Sequence, residues 1–218
     1  MNEAPPDVLP LLGIVTLVGL VPFLVVTLTA FLKIAVVMLL LRNALGIQQT
    51  PPNMVLYGIA LMLTIYITGP VIAEVYARVS DPALRLRSIQ DWQAVIQSAI
   101  EPVRAYLIRF TDPAEREFLL SATARVWPQE ASAAATPNDM VILIPSFVIS
   151  ELTRAFEIGF LLYLPFIVID LIVSAILMAM GMMMVSPLAI SVPFKLFLFV
   201  MVDGWSRLLH GLILSYSS

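Results

Sequence analysis

Polar residues interrupt the apolar pattern of this chain at only a few places. Residues 8–32 carry no charge, and the apolar run continues past Lys33 to residue 41 before stopping at Arg42 and Asn43. A charge-free stretch of that length spans a bilayer core with some tilt. As one helix, the whole run tilts strongly or projects beyond the lipid. Lys33 and Arg42 read as orientation charges flanking a span. Residues 43–53 are polar, with Gly46, Pro51 and Pro52, and predict a tight connection. Residues 54–73 form a second apolar run, so the first two runs predict a helical hairpin over 1–73.

The pattern then changes in kind. Residues 74–139 hold seven of the 12 basic and nine of the 15 acidic side chains, so they predict the water-facing part of the chain. Trp92, Val95, Ile96, Ala99, Val103, Leu107 and Phe110 recur at three- and four-residue intervals, as on an amphipathic helix, with Pro102 as a point of kinking or splitting. Asp112-Pro113, with Glu115 in the first turn, predicts a capped helix over 113–127 that buries Phe118, Leu119 and Ala122. Residues 128–139 lack periodicity and predict a flexible loop.

Beyond 140 the apolar character returns. Residues 142–150 contain Pro145 and precede a charged tetrapeptide, Glu151 to Arg154, read as a turn. Arg154 and Glu157 have the spacing to pair on one helix face. Residues 155–185 are apolar apart from Glu157, Pro165 and Asp170. Those 31 residues would reach about 46 Å as a helix, more than the ~30 Å bilayer core. The last run, 188–214, embeds Lys195, Asp203, Arg207 and His210, and Asp203 and Arg207 are spaced to pair. The pattern therefore predicts an all-α membrane protein. Two long hydrophobic helical hairpins, 1–73 and 140–218, flank a small helical insert, 74–139. The acidic N-terminus favours the outside, and Lys33 and Arg42 favour the cytoplasm, so the insert faces the periplasm of a bacterium.

Composition sharpens the class. Hydrophobic residues make up 60% and charged residues 12%, whereas soluble domains carry about a quarter charged residues. The net charge is −3, with no basic tail, which argues against a nucleic-acid partner. There is no cysteine, so thiolate chemistry and disulfides are excluded. No metal-binding, phosphate-binding or serine-nucleophile motif occurs, and His210 is the one histidine. No cofactor or enzymatic activity is expected. An aspartate pair, Asp170 and Asp203, is the best enzymatic alternative, but the sequence lacks the flanking motifs of intramembrane aspartyl proteases. A charge inside an apolar run needs a partner. Asp170 or Glu157 is the candidate for Lys195, either as a structural ion pair or as a proton or ion relay in a transporter. Transporters often carry internal repeats, and the two hydrophobic pairs here are not similar to each other.

Met182, Met183 and Met184 stand between two apolar runs, flanked by Gly181 and Pro187. Methionine is a flexible, polarizable filler, and in such a connection it suits a soft closure.

Residues 193–205 (PFKLFLFVMVDGW) and 144–159 (IPSFVISELTRAFEIG) resemble the two diagnostic motifs of the FliP/SctR family, with 42–53 (RNALGIQQTPPN) and 181–184 (GMMM) also similar. Pro145, Glu151, Arg154, Pro193, Lys195, Asp203, Gly204 and Trp205 are the marker positions. The resemblance runs from about residue 10 to the C-terminus. It implies a core membrane component of the type III secretion export apparatus in the bacterial inner membrane. The acidic start, without a signal peptide, leans toward the injectisome branch over the flagellar one. By that resemblance several copies, about five, assemble with two smaller membrane proteins of the apparatus into a helical, right-handed cone. Unfolded secreted proteins are the substrates. Met182, Met183 and Met184 correspond to the family's gasket. The cone stands largely on the periplasmic side, so its apolar helices are packed on protein and their charges pair across interfaces.

Overall fold

A computed structural model describes residues 8–47, 49–80, 89–182 and 184–217. The first seven residues, Met183 and the side chain of Trp92 lie outside the described set. Among the described residues there are helices and turns and no strand. In chain order the helices are α1 Val8–Leu28, α2 Phe31–Ala44, α3 Asn53–Val79, α4 Ile89–Phe110, α5 Pro113–Val126, α6 Gln129–Ala134, α7 Met140–Ala179, α8 Pro187–Met201 and α9 Gly204–Leu214.

The spine is α7. It packs against α1, α2, α4, α5 and α8, while α3 packs against α2 and α4. Helix α2 sits in the middle. Ile34, Val37, Met38, Leu41 and Ala44 are fully or almost fully buried, and together with Leu56, Leu107, Leu143 and Phe147 they form the core. Gly159 lets α2 and α7 approach closely, since a Cβ there would lie 2.3 Å from Leu40 Cδ1.

The first apolar run is two helices. The axis turns by 76° between Gly19–Leu28 and Phe31–Ala44. Thr27 and Thr29 donate their hydroxyls to Phe23 O and Val25 O, and the Phe31 amide donates to Thr29 Oγ1 at 3.3 Å. Such side-chain bonds compete with the regular ladder and bend helices. The break removes the excess length expected of a single span.

The expected turn at 151–154 is instead the interior of α7. Glu151 points into the core, so its charge marks a buried contact and not a surface turn. Ser146 and Ser150 hydroxyls fold back on Ile142 O and Ser146 O, each at 2.7 Å, which keeps them satisfied within the helix. Both Pro145 and Pro165 are accommodated inside α7.

In the insert, α4 passes through Pro102 without a break and buries Val95, Tyr106, Leu107 and Phe110, while Ile96 is exposed. Asp112 caps α5 as expected, accepting from the Ala114 amide at 2.8 Å with Pro113 at the first helical position. Its own amide donates to Ser150 Oγ at 2.9 Å, which ties the insert to α7. The apolar face assigned to α5 is corrected: Phe118 is exposed, Leu119 and Ala122 are half-buried, and Thr123 is the buried residue. The expected loop 128–139 contains α6, because its alanine-rich stretch has high helix propensity. Thr123 Oγ1 and Ser132 Oγ, 2.9 Å apart, hold α6 on α5.

The last apolar run also bends, by 62°, between Pro187–Met201 and Gly204–Leu214. Asp203 takes the left-handed conformation with φ 52°. Aspartate visits that region more readily than most residues. A Cβ at Gly204 would lie 2.2 Å from the Phe199 ring, and Trp205 meets the same ring edge-on with centroids 5.4 Å apart. The DGW of the motif thus builds an elbow. By length and composition, α3 and α7 can each cross a membrane, and each bent pair could form one further span.

Two outcomes follow from these contacts. Gly204→Ala pushes against an aromatic ring and costs about 1–3 kcal/mol, whereas Gly211→Ala, with nothing within 4 Å of its Cβ, leaves thermal unfolding in detergent unchanged or slightly raised. Asp139 accepts from the Thr136 amide at 2.7 Å and the Thr136 hydroxyl at 2.8 Å. Those bonds hold its carboxyl below the usual carboxylate range. The stabilisation is full above the unfolded value of about 3.9 and fades as pH falls through the lower folded value. The Thr136 amide protection factor should drop in that acidic window, and Asp139→Ala should be unprotected at every pH.

Candidate functional site: a buried charge cluster, an elbow and a methionine turn

Besides the elbow at Asp203 and Gly204, three features hold the candidate residues. The first is centred on Glu151, which is 0% exposed, with Lys33 1% exposed beside it. Lys33 Nζ lies 3.3 Å from Glu151 Oε1, and Arg154 Nη1 lies 3.5 Å from the same oxygen. The Tyr216 hydroxyl donates to Glu151 Oε2. Lys33 Nζ also sits over the Tyr216 ring, 3.6 Å from its centroid, and that ring meets Phe110 edge-on at 5.0 Å. Arg154 Nη1 donates to Phe110 O at 2.8 Å. One carboxylate therefore joins α2, α4, α7 and the segment after α9. Arg154 turns to Glu151 and Phe110, and no ion pair joins it to Glu157. Lys33 is a core partner and not an orientation charge at a span's edge, which corrects its reading from flanking position alone.

The second feature is Lys195, 2% exposed. Its Nζ donates to Asp170 Oδ2 at 2.6 Å and to Ala44 O at 3.0 Å. Ala44 is the last residue of α2, so the ammonium meets a carbonyl free of intrahelical bonding at the negative end of the helix dipole. Glu157 is exposed and does not reach Lys195. Arg42 clasps the adjoining turn, donating to Pro51 O and Asn53 Oδ1. Gly46, at φ 77°, brings that turn against α8, where a Cβ would lie 2.8 Å from Val192 Cγ2. Asp203 and Arg207 form no ion pair; their link is the Arg207 amide to Asp203 O, 3.0 Å. Asp170 is committed to Lys195, and no bond joins it to Asp203. Among the described residues no three potential metal ligands converge. Pro145 and Pro193 lie inside α7 and α8.

The third feature is the turn between α7 and α8. Gly181 has φ 71°. Its amide donates to Met178 O and the Met182 amide to Leu177 O, both at 3.0 Å. This paired closure with glycine in the left-handed position is a Schellman motif. Pro187 then opens α8 at its first helical position. Between these fixed ends Met182 is exposed and Met184 is completely so, at 101%. Met178 and Met180 are exposed on the preceding turn. Five of the 11 methionines thus fall within seven residues. Sequence reading stopped at the three consecutive ones; the composition of 178–184 carried the wider signal. Tyr216 had no such signal, being an isolated aromatic near the C-terminus.

Long apolar helices around buried ion pairs, with an exposed methionine turn, define an all-helical membrane protein. The chain belongs to the FliP family, whose model matches residues 14–212. It is 57% identical over 217 residues to "Probable translocation protein y4yL" of Sinorhizobium fredii, covering 100% of this chain and 98% of the relative. It is 52% identical over 198 residues to "Harpin secretion protein HrpW" of Pseudomonas syringae pv. syringae, covering 91% and 95%. It is 47% identical over 211 residues to "Yop proteins translocation protein R" of Yersinia pestis, covering 97% of each. The family is that of type III secretion export apparatus proteins, and these relatives lie on its injectisome side.

Removing a partner from the Glu151 cluster strands a buried charge. Glu151→Ala is expected to cost about 3–5 kcal/mol and to deplete the full-length chain from membranes. Tyr216→Phe keeps the ring and should cost about 1–3 kcal/mol. Pulse-chase turnover and unfolding in detergent check both.

Proposed function

We propose that the chain is a core subunit of the type III export gate in the bacterial inner membrane. Several copies, about five by family likeness, join two smaller membrane proteins of the apparatus. Together they form a channel through which unfolded secreted proteins leave the cytoplasm. The chain contributes no catalysis. Residues 1–73 and 140–218 are its packed hairpins, and 74–139 is the insert on the periplasmic side. Lys195 with Asp170 serves as a structural tie between α7, α8 and the end of α2, since both acceptors of the ammonium are fixed parts of the fold.

The observation that carries the reading is the methionine turn. A fully exposed Met184 on a turn fixed by Gly181 and Pro187 has no role in the packing of its own chain. Methionine is soft and adaptable. A ring of such turns can close on itself and yield around an extended polypeptide. The relatives' names, with Yop translocation and harpin secretion, support a passage for protein.

Replacing Met182, Met183 and Met184 together by alanine should raise resting ion leak through the assembled complex several-fold while complex size stays the same. Single-channel conductance in planar bilayers reads it. A tight membrane with intact secretion would overturn the gasket.

A further inference from the structure

Among the described residues Glu157 and Arg207 form no ion pair, and they flank exposed apolar surface. Glu157 is exposed on α7 between Phe156 and Phe160, which are 55% and 61% exposed, and its other flank borders a cleft that it lines with Lys33, Arg109 and Arg154. Arg207 is exposed on α9, at the rim of an apolar groove of about 420 Å³. Leu162, Phe166, Phe199, Leu208, Gly211 and Leu212 line that groove. Its lining also includes Ile158, the residue after Glu157, so the acid and the arginine lie at one level along α7.

The two patches face different ways. Residues two apart on a helix point about 160° apart. Phe156 and Ile158 stand in that relation, as do Phe160 and Leu162. One side of α7 therefore presents two phenylalanines with Glu157 at their edge, and the opposite side presents a groove and a base. A two-fold contact cannot join both pairs at once when they lie on opposite sides. A head-to-tail contact can, and repetition closes a ring or builds a helix.

We propose that Phe156 and Phe160 of one copy seat in the groove of the next copy, with Glu157 of the first on Arg207 of the second. This rests on the oligomeric reading above and specifies the contact. A second copy fits better than a lipid. An acyl chain would fill the groove and its phosphate would meet Arg207, but Glu157 would stay unpaired beside two bare rings. The copy engages all four groups, with Glu157 and Arg207 as charge complements across the contact.

The chain has no cysteine, so engineered thiols report without background. Phe160→Cys combined with Gly211→Cys should give an oxidation-dependent ladder of dimers and higher multimers in membranes carrying the whole apparatus. Neither single variant should give it. A thiol at 211 has room, because nothing lies within 4 Å of that Cβ. Glu157→Arg and Arg207→Glu should each lower the assembled fraction on native gels at least about tenfold, since each sets like charges together. The double reversal should restore it. An oligomer of normal size with no ladder and no rescue overturns the proposed contact and leaves the gate reading standing. A groove thiol that crosslinks to another apparatus protein, or phospholipid that is retained with Arg207 and lost with Arg207→Gln, also overturns it. A wild-type chain that extracts as a monomer overturns the gate reading itself. If the cysteine variant fails to accumulate, the reversal and rescue decide alone.

Discussion

Glu151 is a charge with no access to water, and the rest of the chain is arranged to make that tolerable. An unpaired carboxylate in this core would be strongly destabilising. Lys33, Arg154 and Tyr216 converge on it from α2, α7 itself and the segment after α9. Because these partners come from distant parts of the sequence, satisfying the charge fixes the tertiary arrangement. The first hairpin and the C-terminus must both reach the middle of α7. The insert is drawn in as well, since Arg154 holds Phe110 O and Ser150 accepts from the Asp112 amide. A hydrophobic contact tolerates sliding by a residue; an ion pair with three donors does not. The cluster thus sets the register of a bundle whose apolar faces specify little by themselves.

The same logic recurs at Lys195, one stage along α7. Its ammonium bridges Asp170 and the carbonyl end of α2. The elbow at Asp203 and Gly204 then turns α9 back along the spine toward Glu151. The α8–α9 unit is held at Lys195, at the Phe199–Trp205 ring contact and at Tyr216. Beyond Asp170 no ion pair among the described residues holds α7, and at its end the methionine turn begins. A firmly anchored arm with a bare, adaptable tip suits a closure whose position is fixed while its surface yields.

Much of this was legible in the residues. Charge density separated the insert from the apolar parts, and Asp112-Pro113 marked the start of α5. The family motifs pointed to the residues that the structure places at the elbow and the ion pairs. Hydropathy failed where length and bending matter. It read residues 8–41 as one helix, because the bend depends on threonine hydroxyls competing for carbonyls and not on a polar interruption. It read 151–154 as a turn, because a charge in a linear pattern looks exposed until its partner is known. Lys33 and Glu151 are 118 positions apart, and no local window connects them. Alanine helicity in α6 was missed because periodicity says nothing about propensity in a short polar helix.

The surface of α7 supplies the strongest physical case for neighbours. Its 40 residues reach about 60 Å, roughly twice a bilayer's hydrocarbon core. Only 11% of its most apolar window is buried within the chain, and 22% for α3. Lipid can cover about half of α7 at most, and the proposed neighbouring copies would cover the remainder. The side chains that need cover include Phe156, Phe160, Leu164 and Leu171, which share one side of the spine. A single partner molecule would leave its own equivalent face bare. In the proposed assembly, repetition covers that face from copy to copy and gathers the methionine turns about one axis.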